Sequence, residues 1–285
     1  MLHQLLTEKW ALEPRFHERM AMLALADKLD YKSFKENRKM VYFESQPQAS
    51  ADSYYGYLPR MSTKKGLVVV IPLIGTMSRF GDYCSWGTED IASWLLEAYA
   101  DPNVIGVVVE IDSGGGAVNG TELLAAVIRQ RNKPVVAYVM GVCASAAYWV
   151  ASQCDKIVME SAASSEVGSI GVLAMHVDSS KAYEKEGHKI TIIRADGSEG
   201  KALFNSIEKL TPEITATVKA EMRPIRDEFV HQVKKGRPDI TDETIFEGGM
   251  YNGAVAITKG MADSIGFLGD AVTEVFELSN LQNAA

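Results

Sequence analysis

Two apolar runs that each end in small residues constrain this chain most. Residues 104–112 and 135–139 are rich in valine and isoleucine, which is typical of buried strands. The first run leads into three glycines at 114–116, and the second leads through Gly141 to Ser145, a serine among alanines. Backbone turns sharply at glycine, and N–H groups are free where a helix begins. Either end alone is commonly only packing, but together they predict a serine nucleophile beside an oxyanion hole.

Strand patterns alternate with helical patterns along the main part of the chain. Helices are predicted at 88–99 and 121–130, and strands at 66–74, 104–112, 135–139, 156–159, 172–177 and 189–194. This order predicts an α/β fold with a largely parallel sheet, in which functional groups gather at the carboxyl ends of strands. A long amphipathic helix is predicted over 212–235, with Thr211 as N-cap and Pro212 in the first turn.

The first 62 residues differ in character from the rest. Leu12, Phe16 and Met20 are spaced as on a helix, and residues 44–63 are polar and small. We therefore predict an N-terminal helical extension and linker over 1–62 and a main domain over 63–285.

Composition excludes several classes of protein. A net charge of −8 over 285 residues argues against a nucleic-acid-binding surface. The three cysteines lack metal-ligand spacing and indicate reduced thiols, so neither a metal nor a cofactor is expected. No apolar run is long enough for a membrane span, and the N-terminus lacks the pattern of a signal peptide, so a cytoplasmic protein is expected.

A serine nucleophile needs a base. None of the five histidines stands in a glycine-rich or small-residue strand end. The other known solution is a lysine that stays neutral because desolvation lowers its pKa. Lys201 lies in a small and apolar setting from Gly200 to Phe204 and fits best.

Several motifs in order resemble one family. Those motifs are Asp112–Gly116 (D/N-S-P-G-G), Ala144–Trp149 (A-S-G/A-G/A-Y-W/Y), Asp155–Ile157 (D-K-I), Val167–Val172 (T-G-S-I-G-V) and Gly249–Gly266. Over about residues 65–275 the chain thus resembles the SppA-type (signal peptide peptidase) Ser–Lys serine peptidases of the ClpP/crotonase fold. Two departures are Gly114, where the family usually has proline, and Gly200, which directly precedes Lys201 where the family has G-x-x-K. Because of the second departure, Lys209 is the alternative to Lys201 as the family's lysine.

The resemblance implies a fold and a set of site residues. The fold would be a ClpP/crotonase-like spiral of strand-strand-helix units. The nucleophile would be Ser145 and the base Lys201, with oxyanion donors at Gly115, Gly116 and Ala146. Ser169 would either orient the lysine or serve only as a turn residue.

The N-terminal sequence Trp10–Pro14 resembles the phage branch of the family, the prohead proteases of capsid maturation. That branch implies a ring-forming homo-oligomer that cleaves protein substrates such as scaffold and capsid-associated proteins. It also implies contact with scaffold and portal proteins, in the prohead or host cytoplasm. The alternatives are a bacterial SppA-like peptidase that degrades signal peptides or other small peptides, a crotonase-type acyl-CoA enzyme, and a capsid component without activity.

Overall fold

The computed structural model describes residues 10–12, 41–43, 66–81 and 85–284. The strands in these ranges are β1 (Trp10–Leu12), β2 (Val41–Phe43), β3 (Leu67–Ile74), β4 (Val104–Ser113), β5 (Gly115–Ala117), β6 (Val135–Ala144), β7 (Lys156–Met159), β8 (Glu166–Gly168), β9 (Met250–Asn252) and β10 (Ser264–Ile265). The helices are α1 (Thr88–Ala100), α2 (Thr121–Arg129), α3 (Ala146–Ala151), α4 (Ser180–Lys185), α5 (Pro212–Gly236), α6 (Gly253–Thr258) and α7 (Leu268–Ala284), with a 3-10 turn at Glu243–Glu247.

The central sheet runs in the order β10-β7-β6-β4-β3-β2. All neighbours from β10 to β3 are parallel, β8 adds to β6 in parallel, and β2 and β9 pair antiparallel at the margins. The predicted α/β class with a parallel-dominated sheet is therefore confirmed. The carboxyl ends of β4, β6 and β8 meet at one edge, and the candidate site residues Gly115, Ser145 and Ser169 follow them.

Both faces of the sheet are buried, which explains why its strands are continuous apolar runs rather than alternating ones. Val69 and Ile71 of β3 belong to the cluster that includes α1, α2 and α3. Val68 and Val70 face the other way, into the cluster that α7 completes with Ala271. Two-sided burial fixes the strand register and so holds the site-bearing ends in place.

Helix α5 confirms the predicted long helix. Thr211 caps it, since the Thr211 side chain accepts a hydrogen bond from the Ile214 N–H at 3.3 Å, and Pro212 occupies the first turn. Its predicted apolar stripe is only partly buried: of the residues of α5, Phe229 and Val233 are buried.

The strands predicted at 172–177 and 189–194 are wrong. These stretches are irregular apart from the short helix α4 that lies between them, and no residue from 171 to 228 is buried. Valine and isoleucine there satisfy the strand pattern locally, but in the part of the chain that the structure describes they belong to no named strand.

The predicted N-terminal helices fall mainly outside the described residues. The two described pieces of that region are strands, of which β1 pairs with β5 and β2 with β3. The proposed boundary at residue 62 also lies outside the described ranges and stays a prediction.

Candidate active site

Ser145 lies on a strained turn between β6 and α3. Its φ of 56° and ψ of −120° are unfavourable for any residue with a side chain. In the described part of the chain the non-glycine residues with positive φ are Ser145, Ser169 and Ala202. Such strain costs on the order of 1–3 kcal/mol per residue and collects at functional sites. Two of the three are predicted site residues, and the third directly follows Lys201.

A bulge in β6 directs the chain into this turn. Ile111 pairs with Val139 and Ser113 with Cys143, so β6 advances four residues while β4 advances two. The Asp112 carboxylate fills the gap, since its Oδ1 accepts the Val142 N–H at 3.0 Å. Gly141 is required beside it, because a Cβ there would lie 2.8 Å from the same oxygen.

Replacing Asp112 with alanine is expected to lower the free energy of unfolding by about 1–3 kcal/mol, because the partly buried Val142 N–H loses its acceptor. Asp112→Asn keeps an oxygen at Oδ1 and is expected to lose less than about 1 kcal/mol. Denaturant titration of both variants measures the difference. Equal losses would show that the charge of Asp112, rather than this hydrogen bond, matters.

Ser145 and Ser169 follow the ends of two neighbouring parallel strands. Ala144 pairs with Gly168 across β6 and β8, so the two serines are the next residues of each strand. The Ser145 N–H donates to the Gly168 carbonyl at 2.8 Å, and the Ser169 N–H donates to the Gly249 carbonyl at 2.7 Å. The structure thus brings both predicted serines to one edge.

A cleft of about 450 Å³ opens at these serines. Its other walls are residues 170–173, Arg226 and residues 246–248. Ser145 is 1% exposed and Ser169 7% exposed, so both sit at the bottom of the cleft rather than on the surface. A polypeptide segment that enters this cleft meets both serines.

The candidate oxyanion donors differ in their hydrogen bonding, beginning with the glycine loop after β4. The Ser113 hydroxyl donates to the Gly75 carbonyl at 2.6 Å and accepts the Gly115 N–H at 3.1 Å. The predicted donor Gly115 is therefore already bonded within its own loop. Gly116 cannot carry a side chain, because a Cβ would lie 1.9 Å from the Met77 carbonyl oxygen. Ala146 is the first residue of α3, where N–H groups have no partner within the helix.

Helix α3 is anchored on all sides. Trp149 stacks on Phe229 of α5 with ring centroids 4.6 Å apart, and the Tyr148 hydroxyl donates to the Met261 carbonyl at 2.9 Å. Cys143, two residues before the serine, is fully buried, and this burial raises the pKa of its thiol well above the ordinary value. Cys143 is therefore a neutral packing residue, and Ser145 is the nucleophile candidate of this turn.

Lys201 lies on an exposed turn and is not among the residues that line the cleft. Arg194 holds this turn: its Nε donates to the Lys201 carbonyl at 2.5 Å and its Nη2 to the Ala202 carbonyl at 3.0 Å. Arg194 also forms a two-point ion pair with Glu208, which Asn205 joins at 2.9 Å. The structure does not bring Lys201 to Ser145 within the described chain.

Sequence reasoning missed this arginine network, because Arg194 and Glu208 are 14 positions apart and belong to no motif. The hydrogen bonds from Arg194 and Asn205 lower the pKa of Glu208 from 4.5 to about 2. A carboxyl whose pKa is lowered on folding stabilises the fold above its ordinary pKa. The turn should therefore lose this support as the pH falls from 4.5 towards 2.

The sequence of this chain matches the model of one protein family. The model of peptidase family S49 matches residues 127–282, more than half of the chain, and this range includes Ser145, Ser169 and Lys201. The chain belongs to peptidase family S49. This membership confirms the resemblance to SppA-type peptidases that the motifs indicated.

Relatives of this S49 chain come from bacteria and from phages. It is 26% identical to Protease 4 of Salmonella typhi, over 97% of this chain and 44% of that protein. It is 31% identical to capsid assembly protease C of Escherichia phage lambda (72% and 48% covered) and 28% identical to head-tail preconnector protein GP5 of Enterobacteria phage P21 (93% and 54%). The chain thus spans about half the length of these relatives. Among solved structures, the 1510-N membrane-bound stomatin-specific protease superposes with a TM-score of 0.46 at 17% identity, covering 74% of this chain and 86% of that one.

Across the ranges that the structure describes, no group of three or more histidine, cysteine or acidic residues is placed to hold a metal ion. No helix in those same ranges combines the length and the apolarity that crossing a membrane requires.

Proposed function

We propose that this S49 chain is a serine endopeptidase in which Ser145 attacks the peptide carbonyl and Lys201 is the general base. The observation that carries the proposal is the strained Ser145 turn at the bottom of a cleft that also contains Ser169. Strain of this kind persists only where the surrounding structure enforces it. Here the β6 bulge, the Gly168 carbonyl and the buried helix α3 enforce it together.

The chemical steps need no metal or cofactor. Lys201, acting as a neutral amine, takes the proton of the Ser145 hydroxyl, whose oxygen bonds to the substrate carbonyl carbon. The N–H groups of Gly116 and Ala146 stabilise the oxyanion in this proposal, because Ala146 begins helix α3 directly after Ser145 and Gly116 belongs to the glycine loop at the end of a neighbouring strand. The lysine then gives its proton to the leaving amine, and water hydrolyses the acyl-enzyme by the same steps in reverse order.

In this proposal, association with another copy of the chain brings Lys201 to the cleft, which it does not line in the single chain. The segment 171–228 has no buried residue, yet it carries exposed apolar side chains: Val177 (40% exposed), Tyr183 (38%), Ile190 (44%) and Ile193 (90%). We take these apolar side chains, which have no buried neighbours within their own segment, as the part of the chain that an interface would cover. The occupant that we propose is a second copy of this chain, so that the turn with Lys201 completes the site of its neighbour or is pressed into its own cleft.

The biological role that we propose is cleavage of scaffold and capsid-associated proteins during phage head maturation. Its support is the similarity to the lambda capsid assembly protease over 72% of this chain, together with the N-terminal motif at Trp10–Pro14. The alternative is an SppA-like peptidase that degrades signal peptides or other small peptides, which the similarity to Protease 4 supports. Portal and scaffold partners belong to the first role only.

Intact-mass spectrometry of the purified chain at high concentration tests this function. Wild-type protein is incubated alone, with a phage scaffold protein, and with a synthetic signal peptide, in parallel with Ser145→Ala. Cleavage of the scaffold by wild type but not by Ser145→Ala supports the phage role. Cleavage of the signal peptide without cleavage of the scaffold supports the alternative. Cleavage that persists in Ser145→Ala, or that is absent with all substrates, would contradict the proposed function.

A further inference from the structure

Strand β1 pairs with the strand that follows the candidate oxyanion loop. Trp10, Ala11 and Leu12 run antiparallel to β5, with Ala11 opposite Gly116 and Leu12 opposite Gly115. Leu12 and Gly115 lie 103 positions apart along the chain, so the pairing is not a local hairpin; β2, β3 and β4 intervene. A distant segment of the chain has been brought to this one edge.

The two edges of β5 have different partners. On one edge, the Met77 N–H donates to the Gly115 carbonyl and the Ala117 N–H donates to the Met77 carbonyl, both at 2.9 Å. Backbone groups of successive strand residues point to alternate edges, so the N–H and carbonyl of Gly116 point the other way. That other edge is the one that β1 takes, which makes Ala11 and Gly116 the hydrogen-bonded pair of this ladder.

The edge that β1 takes is the edge on the side of Ser145. Met77 continues from β3, and β4 lies between β3 and β6 in the sheet. The edge of β5 away from Met77 is therefore on the β6 side, where Ser145 follows the strand end. Helix α3, which begins directly after Ser145, contacts β5. Strand β1 thus pairs with β5 along the edge that faces away from Met77.

We propose that β1 inhibits the candidate site in the free chain: it pairs with the edge of β5 that carries the Gly116 N–H and must leave that edge before a substrate is cleaved. The inference rests on the proposed function and names a regulation of that same site. While Gly116 is paired with Ala11, its N–H is not available to an oxyanion, so β1 must leave before a substrate carbonyl enters.

A reversible disulfide between the two strands tests this inference on the full chain. Trp10 and Ala117 face each other as a non-hydrogen-bonded pair, in which Cα atoms lie close enough for a disulfide. The double variant Trp10→Cys with Ala117→Cys is oxidised, and labelling of Ser145 by a fluorophosphonate and hydrolysis of an unfolded protein are measured before and after a thiol reductant. The single variants Trp10→Cys and Ala117→Cys, which cannot form this bond, are the matched controls.

We expect the disulfide to form readily, both rates to fall at least about tenfold in the oxidised double variant, and the reductant to restore them. The single variants should not respond to oxidation in this way. Failure of the disulfide to form would overturn the pairing, and an oxidised double variant as active as its reduced form would overturn the inhibition by β1. Absence of labelling in wild type would instead overturn the proposed function, and the inference with it.

Discussion

Ser145→Ala is expected to lower peptide-bond hydrolysis by at least about 10³-fold, because no other group of the turn can form the acyl-enzyme. Cys143 is buried as a neutral thiol, so it cannot substitute for the missing hydroxyl. Hydrolysis of an unfolded protein and labelling by a fluorophosphonate measure the loss. The melting temperature should stay close to that of wild type, since alanine keeps the Cβ and the strained backbone.

The matched control is Ser169→Ala, whose hydroxyl lies in the same cleft on the neighbouring strand end. We expect a loss of only about 10- to 100-fold there, because a group that orients the base contributes less than the nucleophile itself. Comparable losses at both positions would show that Ser169 takes part in the reaction as directly as Ser145. Unchanged hydrolysis in Ser145→Ala would remove this turn from the reaction altogether.

Because the backbone at Ser145 is strained, a substitution there can abolish hydrolysis and at the same time raise the free energy of unfolding. Glycine adopts positive φ without steric cost, so Ser145→Gly is expected to abolish hydrolysis while raising the free energy of unfolding by about 1 kcal/mol relative to Ser145→Ala. Denaturant titration of the two inactive variants measures this difference. A natural sequence that keeps serine on such a turn sacrifices stability for function.

The strand ends were predictable from sequence because their signal is local. Buried parallel strands are continuous apolar runs, and the change to glycines after Ser113 or to alanines around Ser145 marks where backbone groups become free. Which of those backbone groups form hydrogen bonds, and with which partners, was not predictable. That the Ser113 hydroxyl takes the Gly115 N–H, or that Asp112 spans a bulge beside Gly141, depends on the register of β4 against β6.

The segment 172–194 shows where local pattern fails. Its valines and isoleucines predicted strands, and the structure leaves them half-buried or exposed on either side of a short helix. Apolar periodicity records that a face is buried somewhere, and it does not distinguish a core from an interface with another copy. The interface proposed above would also cover the rest of the α5 stripe, where Ile214 and Val218 are spaced as in a core and are not buried.

Lys201→Ala is expected to lower hydrolysis by about 10³-fold, as loss of a general base does when the nucleophile remains. Lys209→Ala is the matched control, eight positions along the same exposed segment, and should stay within about threefold of wild type. Lys201→Arg should be as inactive as Lys201→Ala, because arginine stays charged and cannot accept the serine proton. Activity in Lys201→Ala together with its loss in Lys209→Ala would move the base to Lys209.

The exposed position of Lys201 makes subunit complementation the sharpest extension of this prediction. Ser145→Ala and Lys201→Ala chains with different tags are co-expressed and purified through both tags. If a neighbour supplies the lysine, about a quarter of the sites in random mixed assemblies combine an intact Ser145 with an intact Lys201, so activity should return to roughly that fraction of wild type. If each chain uses its own lysine, no intact site forms and the mixture stays as inactive as its parents. Because both parents are inactive alone, any recovered hydrolysis must come from a site that two copies share.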